Sequence, residues 1–499
     1  MYHYFLVGFV LILSCQSPEK PVKPELPNII YILADDLGIG DVSVYNADSR
    51  INTMAIDALA RSGMTFQDAH SGSSVCTPTR YGILTGRYAW RTRLAKGVTW
   101  TYDPHLIDPG RTTVASYLKQ YRYQTACIGK WHLGLDWGKD ANGEYDFTLP
   151  IQNGPNENGF DYFFGITASL DIPPYFYIEN NRITAETIDT IGAMGGKKFW
   201  RESPIGNDFV HEEVLPTLTE KAISFIKESS QKEDPFFLYF PLTAPHTPIL
   251  PTAAFQGKSG TNEYGDFVLM VDKVVQQIME TLEAAGIKEN TLVIFTSDNG
   301  CSPMADFAEL ESFGHDPSYI YRGHKADIFE GGHRIPFVAS WPAKIPEGSN
   351  CSQTICLTDL LGTVAGIMGD PLPGNAGEDS YDLTSILFNE SPKILREATV
   401  HHSIEGCFSL RKAEWKICFC PGSGGWSHPT PKEAGELALP DIQLFNLSDD
   451  PAEKNNLAGE HPELVDQLTQ LMQQYIDTGR STPGEKQSND REIILQEAD

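Results

Sequence analysis

Two oxygen-rich pairs each follow an apolar run of the chain. Asp35-Asp36 comes after residues 28–33, and Asp298-Asn299 after residues 291–296. Hard oxygen donors without clustered His or Cys partners suit Ca²⁺ or Mg²⁺ rather than zinc. Either pair alone is ordinary turn chemistry, because Asp and Asn terminate strands everywhere. Near them stands Cys76-Thr77-Pro78-Thr79-Arg80, whose proline suits the first turn of a helix. Cys76 is then expected just ahead of a helix N-terminus, where backbone donors and the dipole favour an anionic oxygen. By itself Cys76 reads equally as a small buried hydrophobe. Lys130 and His132 follow a third apolar run, 124–128. His246, bracketed by Pro245 and Pro248, follows a fourth, 236–240, and Lys325 adds a further cation. Singly, each lysine is an ordinary surface group and each histidine an ordinary core group.

These groups need a scaffold that brings them together. The runs 28–33, 124–128, 236–240, 291–296 and 335–340 are short, apolar and β-rich, as strands buried on both faces of a parallel sheet are. Helical segments alternate with them; Leu269, Val275, Met279 and Leu282 mark one face of a helix that ends at Gly286. The alternation predicts an α/β fold: a large, mostly parallel sheet flanked by helices, with ligands beyond the carboxyl ends of its strands. After about residue 390 the pattern changes. The runs 401–408, 409–411 and 415–419 predict a small antiparallel sheet. A terminal helix follows, with Leu464, Leu468, Leu471, Met472, Tyr475 and Ile476 on one face, and then a polar, loose tail from Ser481 to Asp499. The expected division is 1–26 leader and tether, 27–390 catalytic domain, and 391–499 a C-terminal α+β subdomain.

The run 76–87, Cys-Thr-Pro-Thr-Arg-Tyr-Gly-Ile-Leu-Thr-Gly-Arg, resembles the signature of type I, formylglycine-dependent sulfatases of the alkaline phosphatase superfamily. The resemblance continues through Ala34–Gly38, Gly129-Lys130-Trp131-His132-Leu133-Gly134, Ala244-Pro245-His246-Thr247-Pro248, Ser297-Asp298-Asn299-Gly300, Lys325 and Glu330-Gly331-Gly332-His333-Arg334-Ile335-Pro336. Asn446-Leu447, Asp450-Pro451 and Gly479–Gly484 are similar to that family's C-terminal subdomain. Thr79 stands where serine is commoner and Ala326 where glycine is usual. The resemblance implies that a maturation enzyme oxidises Cys76 to formylglycine, whose hydrate is the nucleophile. It also implies that Asp35, Asp36, Asp298 and Asn299, with the modified Cys76, hold the cation. Arg80 and Lys130 would hold the hydrate, Lys325 a sulfate oxygen, and His246 would protonate the leaving sugar oxygen. His132 would take the proton that lets sulfate depart, and Ser169 would contact sulfate. The implied substrate is a sulfated saccharide. The segment Ser169-Leu170-Asp171-Ile172-Pro173-Pro174-Tyr175 resembles sulfatases of galactose or N-acetylgalactosamine 6-sulfate. Two rival readings remain: a phosphonate monoester or phosphodiester hydrolase of the same superfamily, and a non-catalytic glycan-binding lipoprotein.

With Lys+Arg 38 against Asp+Glu 66 and a formal charge of -28, nucleic acid and anionic membrane surfaces are poor partners. A sulfated substrate needs a local cationic pocket instead, effective within about 10 Å. Residues 5–13 are apolar at signal h-region length, and Leu11-Ile12-Leu13-Ser14-Cys15 resembles a lipoprotein cleavage box with Cys15 lipidated. An exported protein, periplasmic or at the cell surface and tethered through Cys15, is expected, with plain secretion as the rival. The nine cysteines form no disulfide framework; Cys351 and Cys356 are spaced to bridge, whereas Cys418 and Cys420 are too far apart along a strand to do so easily. His324, His333, His401 and His402 read as core or pocket histidines. Trp100 reads as a core or rim aromatic or a sugar-stacking one.

Overall fold

The structure is a computed structural model that describes residues 1, 26–390 and 395–495. The expected leader, Cys15 and tether lie outside the described residues. The main sheet contains β1 (Asn28–Asp35), β2 (Met64–Phe66), β3 (Gln124–Lys130), β4 (Tyr162–Ile166), β5 (Ile178–Glu179), β6 (Arg182–Ile183), β7 (Phe236–Pro245), β8 (Thr291–Ser297), β9 (Phe337–Ser340) and β10 (Ser349–Cys351). Their order is β10-β2-β9-β8-β1-β7-β3-β4-β5-β6. The five central strands, β8-β1-β7-β3-β4, run parallel. The run expected at 335–340 as a further parallel strand is β9, which pairs antiparallel with β8. Its apolar composition reports burial on both faces, which a strand of either direction can have.

Continuous apolar runs arise because both faces of the sheet are covered. Ile29, Tyr31 and Leu33 of β1 join the core on one side, while Ile30, Ile32 and Ala34 join the core on the other. Helix α1 (Cys76–Thr85) is buried along its whole length and ends at Gly86 in the left-handed region, φ 63°. Cys76 is its first residue, one position further in than the sequence suggests, with Val75 as cap. Pro78 stands in the first turn, where no intrahelical N–H partner is lost. Helix α2 (Val214–Ser229) and α3 (Glu263–Ala285) pack on the face opposite α1. Asn262 caps α3 and Gly286, at φ 70°, ends it. Val275 and Leu282 face the core as expected, but Leu269 and Met279 are only half-buried, because the stripe is centred on Phe267, Val271, Val274 and Ile278.

The C-terminal unit is a four-stranded antiparallel sheet of β11 (Thr399–His402), β12 (Phe408–Lys412), β13 (Trp415–Cys418) and β14 (Gln443–Asn446), with helix α4 (Pro462–Thr478) against it. Leu468, Met472, Tyr475 and Ile476 of α4 are buried. The tail expected to be loose is tied down through residue 490. Asp490 pairs with Arg87 at 2.9 Å, and Asp379 holds both Arg91 (2.8 Å) and the Ser481 amide (3.0 Å). Polar residues there answer buried arginines of the large unit, so composition alone misread them. Cys351 and Cys356 are free, and among the described residues the disulfide is Cys407–Cys420, with Cα atoms 5.8 Å apart. Cys420 lies beyond the end of β13 and turns back to the start of β12.

Buried histidines and charges join the two units. His70 Nδ1 lies 3.0 Å from His333 Nδ1, and the rings of His333 and His401 stack at 3.9 Å. Asp68, Glu330, Arg334, Arg411, Lys416 and Glu453 surround them in ion pairs. Burial first, and then neighbouring cations or histidines, hold His333 and His401 neutral, with their pKa values well lowered. His70 is lowered chiefly by burial, and His402, with neither ring nitrogen hydrogen-bonded, is brought down to about 4. Groups depressed in this way take up protons on unfolding, so their stabilisation is full above the ordinary histidine pKa of about 6.5 and fades as pH falls below it. Urea unfolding measured from about pH 7.5 down to about pH 5 is expected to show this fall. His402→Leu should make the fall shallower, by up to about 1.4 kcal/mol per pH unit. An unchanged slope in that variant would show that His402 is not buried neutral.

Candidate active site

Parallel strands place their carboxyl ends at one edge, and there the chain turns four times into polar residues. β1 delivers Asp35 and Asp36, β3 delivers Lys130 and then His132, β7 leads to His246, and β8 leads to Asp298 and Asn299. Register holds them close: the Asp298 amide donates to Ala34 O at 3.1 Å, and the Asp36 amide to Asp298 Oδ1 at 3.2 Å. α1 brings Cys76 and Arg80 against this edge. Arg80 donates through Nε and Nη2 to Asp298 Oδ2 at 3.0 and 2.7 Å, and through Nη1 to Lys130 O at 2.9 Å. Lys130 Nζ binds Asp35 at 2.7 Å, and Lys325 Nζ binds Asp36 at 2.7 Å. Three carboxylates thus meet three cations supplied by three different segments.

The residues fall into two layers. Cys76, His132, Ser169, His246 and Lys325 line a cavity of about 380 Å³. Arg80, Lys130, Asp35, Asp36, Asp298 and Asn299 are buried behind it, at 0–1% exposure. Asp36 and His132 adopt positive φ, 67° and 55°, as does Ala326 beside Lys325 at 81°. A left-handed alanine is disfavoured by about 1–2 kcal/mol, a penalty that glycine avoids at this position. Its amide donates to Ser74 O at 2.9 Å and its carbonyl accepts from Ile404 N at 3.1 Å, contacts that hold the strained turn. Thr79, the other departure, donates to Ser73 O at 3.0 Å, a bond that a serine hydroxyl can also make.

The electrostatics separate the two histidines. Burial opposes a charge on His246, yet the carboxylates of Asp36, 3.5 Å from its Nε2, and of Asp35 together outweigh it and raise its pKa to about 9. Its Nδ1 donates to Thr247 O at 2.5 Å. His132 is driven well below the ordinary value by burial and then by Lys130 and Arg80. Its Nε2 bonds Thr99 O at 3.0 Å as donor, which leaves Nδ1 a buried acceptor without a partner. The site therefore holds one protonated and one neutral imidazole. Burial raises the Cys76 thiol, but Lys130, Lys325 and a hydrogen bond from His246 bring it down to about 7.

Burial and then the charge of Asp35 push the Asp298 carboxyl up to about 7, while four cations keep Asp35 well below the usual carboxylate range. Crowded acids of this kind relax on binding a cation. Carboxylate oxygens of Asp35, Asp36 and Asp298 lie within 4.8 Å of one another, and so do ligating atoms of Asp35, Cys76 and His246. Asn299 Oδ1 is buried with no hydrogen-bond partner. The donor set fits a hard divalent ion. His70, His333 and His401 also cluster. The parallel stack of His333 on His401 prevents both ring planes from meeting at one ion, and Lys416 Nζ lies 3.1 Å from His333 Nε2.

Ser169 donates to Asp171 Oδ1 at 2.5 Å, and Arg201 binds Asp171 Oδ2 at 2.9 Å. Asp171, Arg201, Met304 and Trp426 all line the cavity and escaped the sequence reading. Asp171 lies two residues from Ser169 and was within reach of it; Arg201 and Trp426 carry no local signal. Trp100 is a rim aromatic, 51% exposed, with the Arg201 guanidinium 5.2 Å from its ring. His333, His401 and His402 lie in the interior between the two units, and His324 is half-buried against Phe307.

Comparison with known proteins agrees with this geometry. The family model described as Sulfatase matches residues 27–370. An N-acetylgalactosamine-6-O-sulfatase of Bacteroides thetaiotaomicron is 34% identical over 94% of this chain and 97% of its own length. An N-acetylgalactosamine-6-sulfatase of Canis lupus familiaris is 30% identical over 97% of this chain and 92% of its own. A solved structure, described for metabolism of multiple glycosaminoglycans by Bacteroides thetaiotaomicron, superposes with a TM-score of 0.80 at 34% identity, over 90% of this chain and 99% of that one. A phosphonate monoester hydrolase of Agrobacterium radiobacter, at 18% identity and a TM-score of 0.58, shares the fold. A family match over more than half its length, and a relative it covers almost end to end, place this chain in the sulfatase family.

Proposed function

We propose that this chain hydrolyses the 6-sulfate ester of a galactose or N-acetylgalactosamine unit in a sulfated saccharide, using formylglycine at position 76 and a divalent cation. The observation that carries the reading is the cavity in which Cys76, His132, Ser169, His246 and Lys325 face one another in front of three buried acids. Names of relatives support the sugar, as does the segment 169–175. Asp35, Asp36, Asp298 and Asn299 would hold Ca²⁺ or Mg²⁺. In place, the aldehyde hydrate supplies an oxygen nucleophile and the cation supplies charge against sulfate oxygens. Lys325 and Ser169 bind sulfate oxygens at the cavity wall. Protonated His246 holds the proton that the leaving sugar oxygen requires, and neutral His132 offers Nδ1 as acceptor for the proton released when sulfate departs. Arg80 and Lys130 hold Asp298 and Asp35 in place from behind. The reading includes a maturation enzyme as partner, and export with a lipid tether at Cys15, supported by the apolar run 5–13 and the box ending in Cys15.

Three measurements test the reading together. Defined 6-sulfated saccharides are expected to release sulfate faster than an aryl phosphodiester is cleaved. Peptide mass spectrometry of active protein is expected to show formylglycine at position 76. A strong chelator should stop turnover, and Ca²⁺ or Mg²⁺ should restore it. Full activity with an intact Cys76 thiol, or after verified metal removal, would refute the mechanism.

The assignment of the two imidazoles has its own signature. An acid matters only for a poor leaving group, so His246→Ala should lose about 10²–10⁴-fold on the saccharide and much less on nitrophenyl sulfate. His132→Ala should impair both substrates by similar factors. Equal losses on the two substrates in the His246 variant would assign that residue to sulfate binding.

A further inference from the structure

The cavity has a second wall that the chemistry above does not use, and the C-terminal unit builds it. Ile404 and Trp426 line the cavity. Trp426 is 44% exposed, and its ring has no aromatic or cationic partner among the described residues, whereas Trp100 lies under Arg201. A large aromatic face left open beside a concave site marks a binding surface.

That face is held rigidly. The amides of Trp426 and Ser427 both donate to Asp327 Oδ1, at 2.8 and 3.0 Å, and Asp327 is fully buried two residues after Lys325. Ile328 N donates to Ser423 O at 2.8 Å and Ile404 N to Ala326 O at 3.1 Å. Gly425 lies so close to Ala326 that a Cβ there would sit 2.3 Å from the Ala326 carbonyl oxygen. The loop carrying Trp426 is thus hydrogen-bonded to the backbone that immediately follows the sulfate-side lysine. A crosslink secures its other end. Cys407–Cys420 joins the two loops of the C-terminal unit, Ser403 Oγ donates to Gly424 O at 2.6 Å, and a side chain at Gly424 would meet Cys407 Cβ at 2.8 Å.

We propose that Trp426 is a specificity-determining residue whose indole face packs against the pyranose ring that carries the sulfate ester. Asp327 and the Cys407–Cys420 crosslink are positioning groups that fix this face relative to Lys325. A pyranose ring presents a face of C–H groups and a rim of hydroxyls, so a flat indole can bury the former while polar side chains bind the latter. The C-terminal unit then contributes to substrate choice and not to bond cleavage. The inference rests on the sulfatase reading above.

Inorganic sulfate, as a competitive inhibitor, probes the sulfate side of the cavity alone. In Trp426→Ala, KM for a 6-sulfated saccharide is expected to rise roughly five- to tenfold with kcat little changed, while the Ki of sulfate stays the same. Trp426→Phe should recover most of the loss, and the thermal midpoints of both variants should match that of the parent. The Cys407→Ser/Cys420→Ser double variant should raise KM in the same pattern by a smaller factor. An unchanged KM in Trp426→Ala, or a KM and Ki that rise together, overturns the assignment of Trp426; an unchanged KM in the double variant overturns the positioning role of the crosslink. A parent protein that cleaves no sulfated saccharide and ignores inorganic sulfate takes down the sulfatase reading itself, and this inference with it.

Discussion

The structure depends on three carboxylates buried at the ends of adjacent parallel strands. Asp35, Asp36 and Asp298 would repel one another at this distance, and their burial leaves little screening by solvent. Each is answered by a cation from elsewhere in the chain: Lys130 from β3, Lys325 from a distant loop and Arg80 from α1. Removing one partner of such a pair typically destabilises by about 3–5 kcal/mol, because the remaining charge cannot reach water. The ion pairs therefore lock sheet, helix and loop into one arrangement, and the cavity lies directly against it. The same acids form the hard oxygen site, so the groups that organise the fold are those a divalent cation would engage.

From this lattice the chemistry of the cavity follows. Asp36 lies next to His246 and with Asp35 keeps it charged, while burial and then Lys130 and Arg80 keep His132 neutral. Two buried imidazoles thus take opposite protonation states because the charges that act on them differ in sign. The backbone is strained where it must turn sharply to present these groups, at Asp36, His132 and Ala326. Strain of this kind persists only where surrounding contacts over-determine it, as the hydrogen bonds to Ser74 and Ile404 do at Ala326.

The C-terminal unit is joined to the large one by polar contacts as well as apolar packing. The stacked histidines, Lys416 between Glu330 and Glu453, and Asp490 on Arg87 all cross between the two. Polar networks of this kind specify one docking geometry, since any shift leaves a buried group unpaired. A fixed geometry is what Trp426 needs if it is to stand at a constant place beside Lys325. The overall charge of -28 belongs mainly to the solvated surface. At the cavity, Lys325, His246 and Arg201 supply the cationic field locally.

Much of this was legible in the chain. Apolar runs followed by Asp35-Asp36, Lys130-Trp131-His132, His246 and Asp298-Asn299 implied strand ends at one edge, because doubly buried strands that alternate with helices form parallel sheets as a rule. The Cys76–Arg80 spacing implied a helix start at Cys76, since proline is tolerated there. Other features were not legible because they depend on residues far apart in sequence. Strand direction at β9 is set by the path of the chain and not by hydrophobicity. The bridge Cys407–Cys420 depends on where two loops of an antiparallel sheet meet. The order of the polar tail has no local signal, because its partners, Arg87 and Arg91, lie some four hundred residues earlier. Asp171 acquires meaning only beside Ser169 and Arg201, and Trp426 only beside Asp327. The sequence by itself determined which residue types stand at each strand end, for local pattern and burial dictate those. Only the tertiary structure decided which charges face each histidine and which aromatics wall the cavity, because electrostatics and packing act through space.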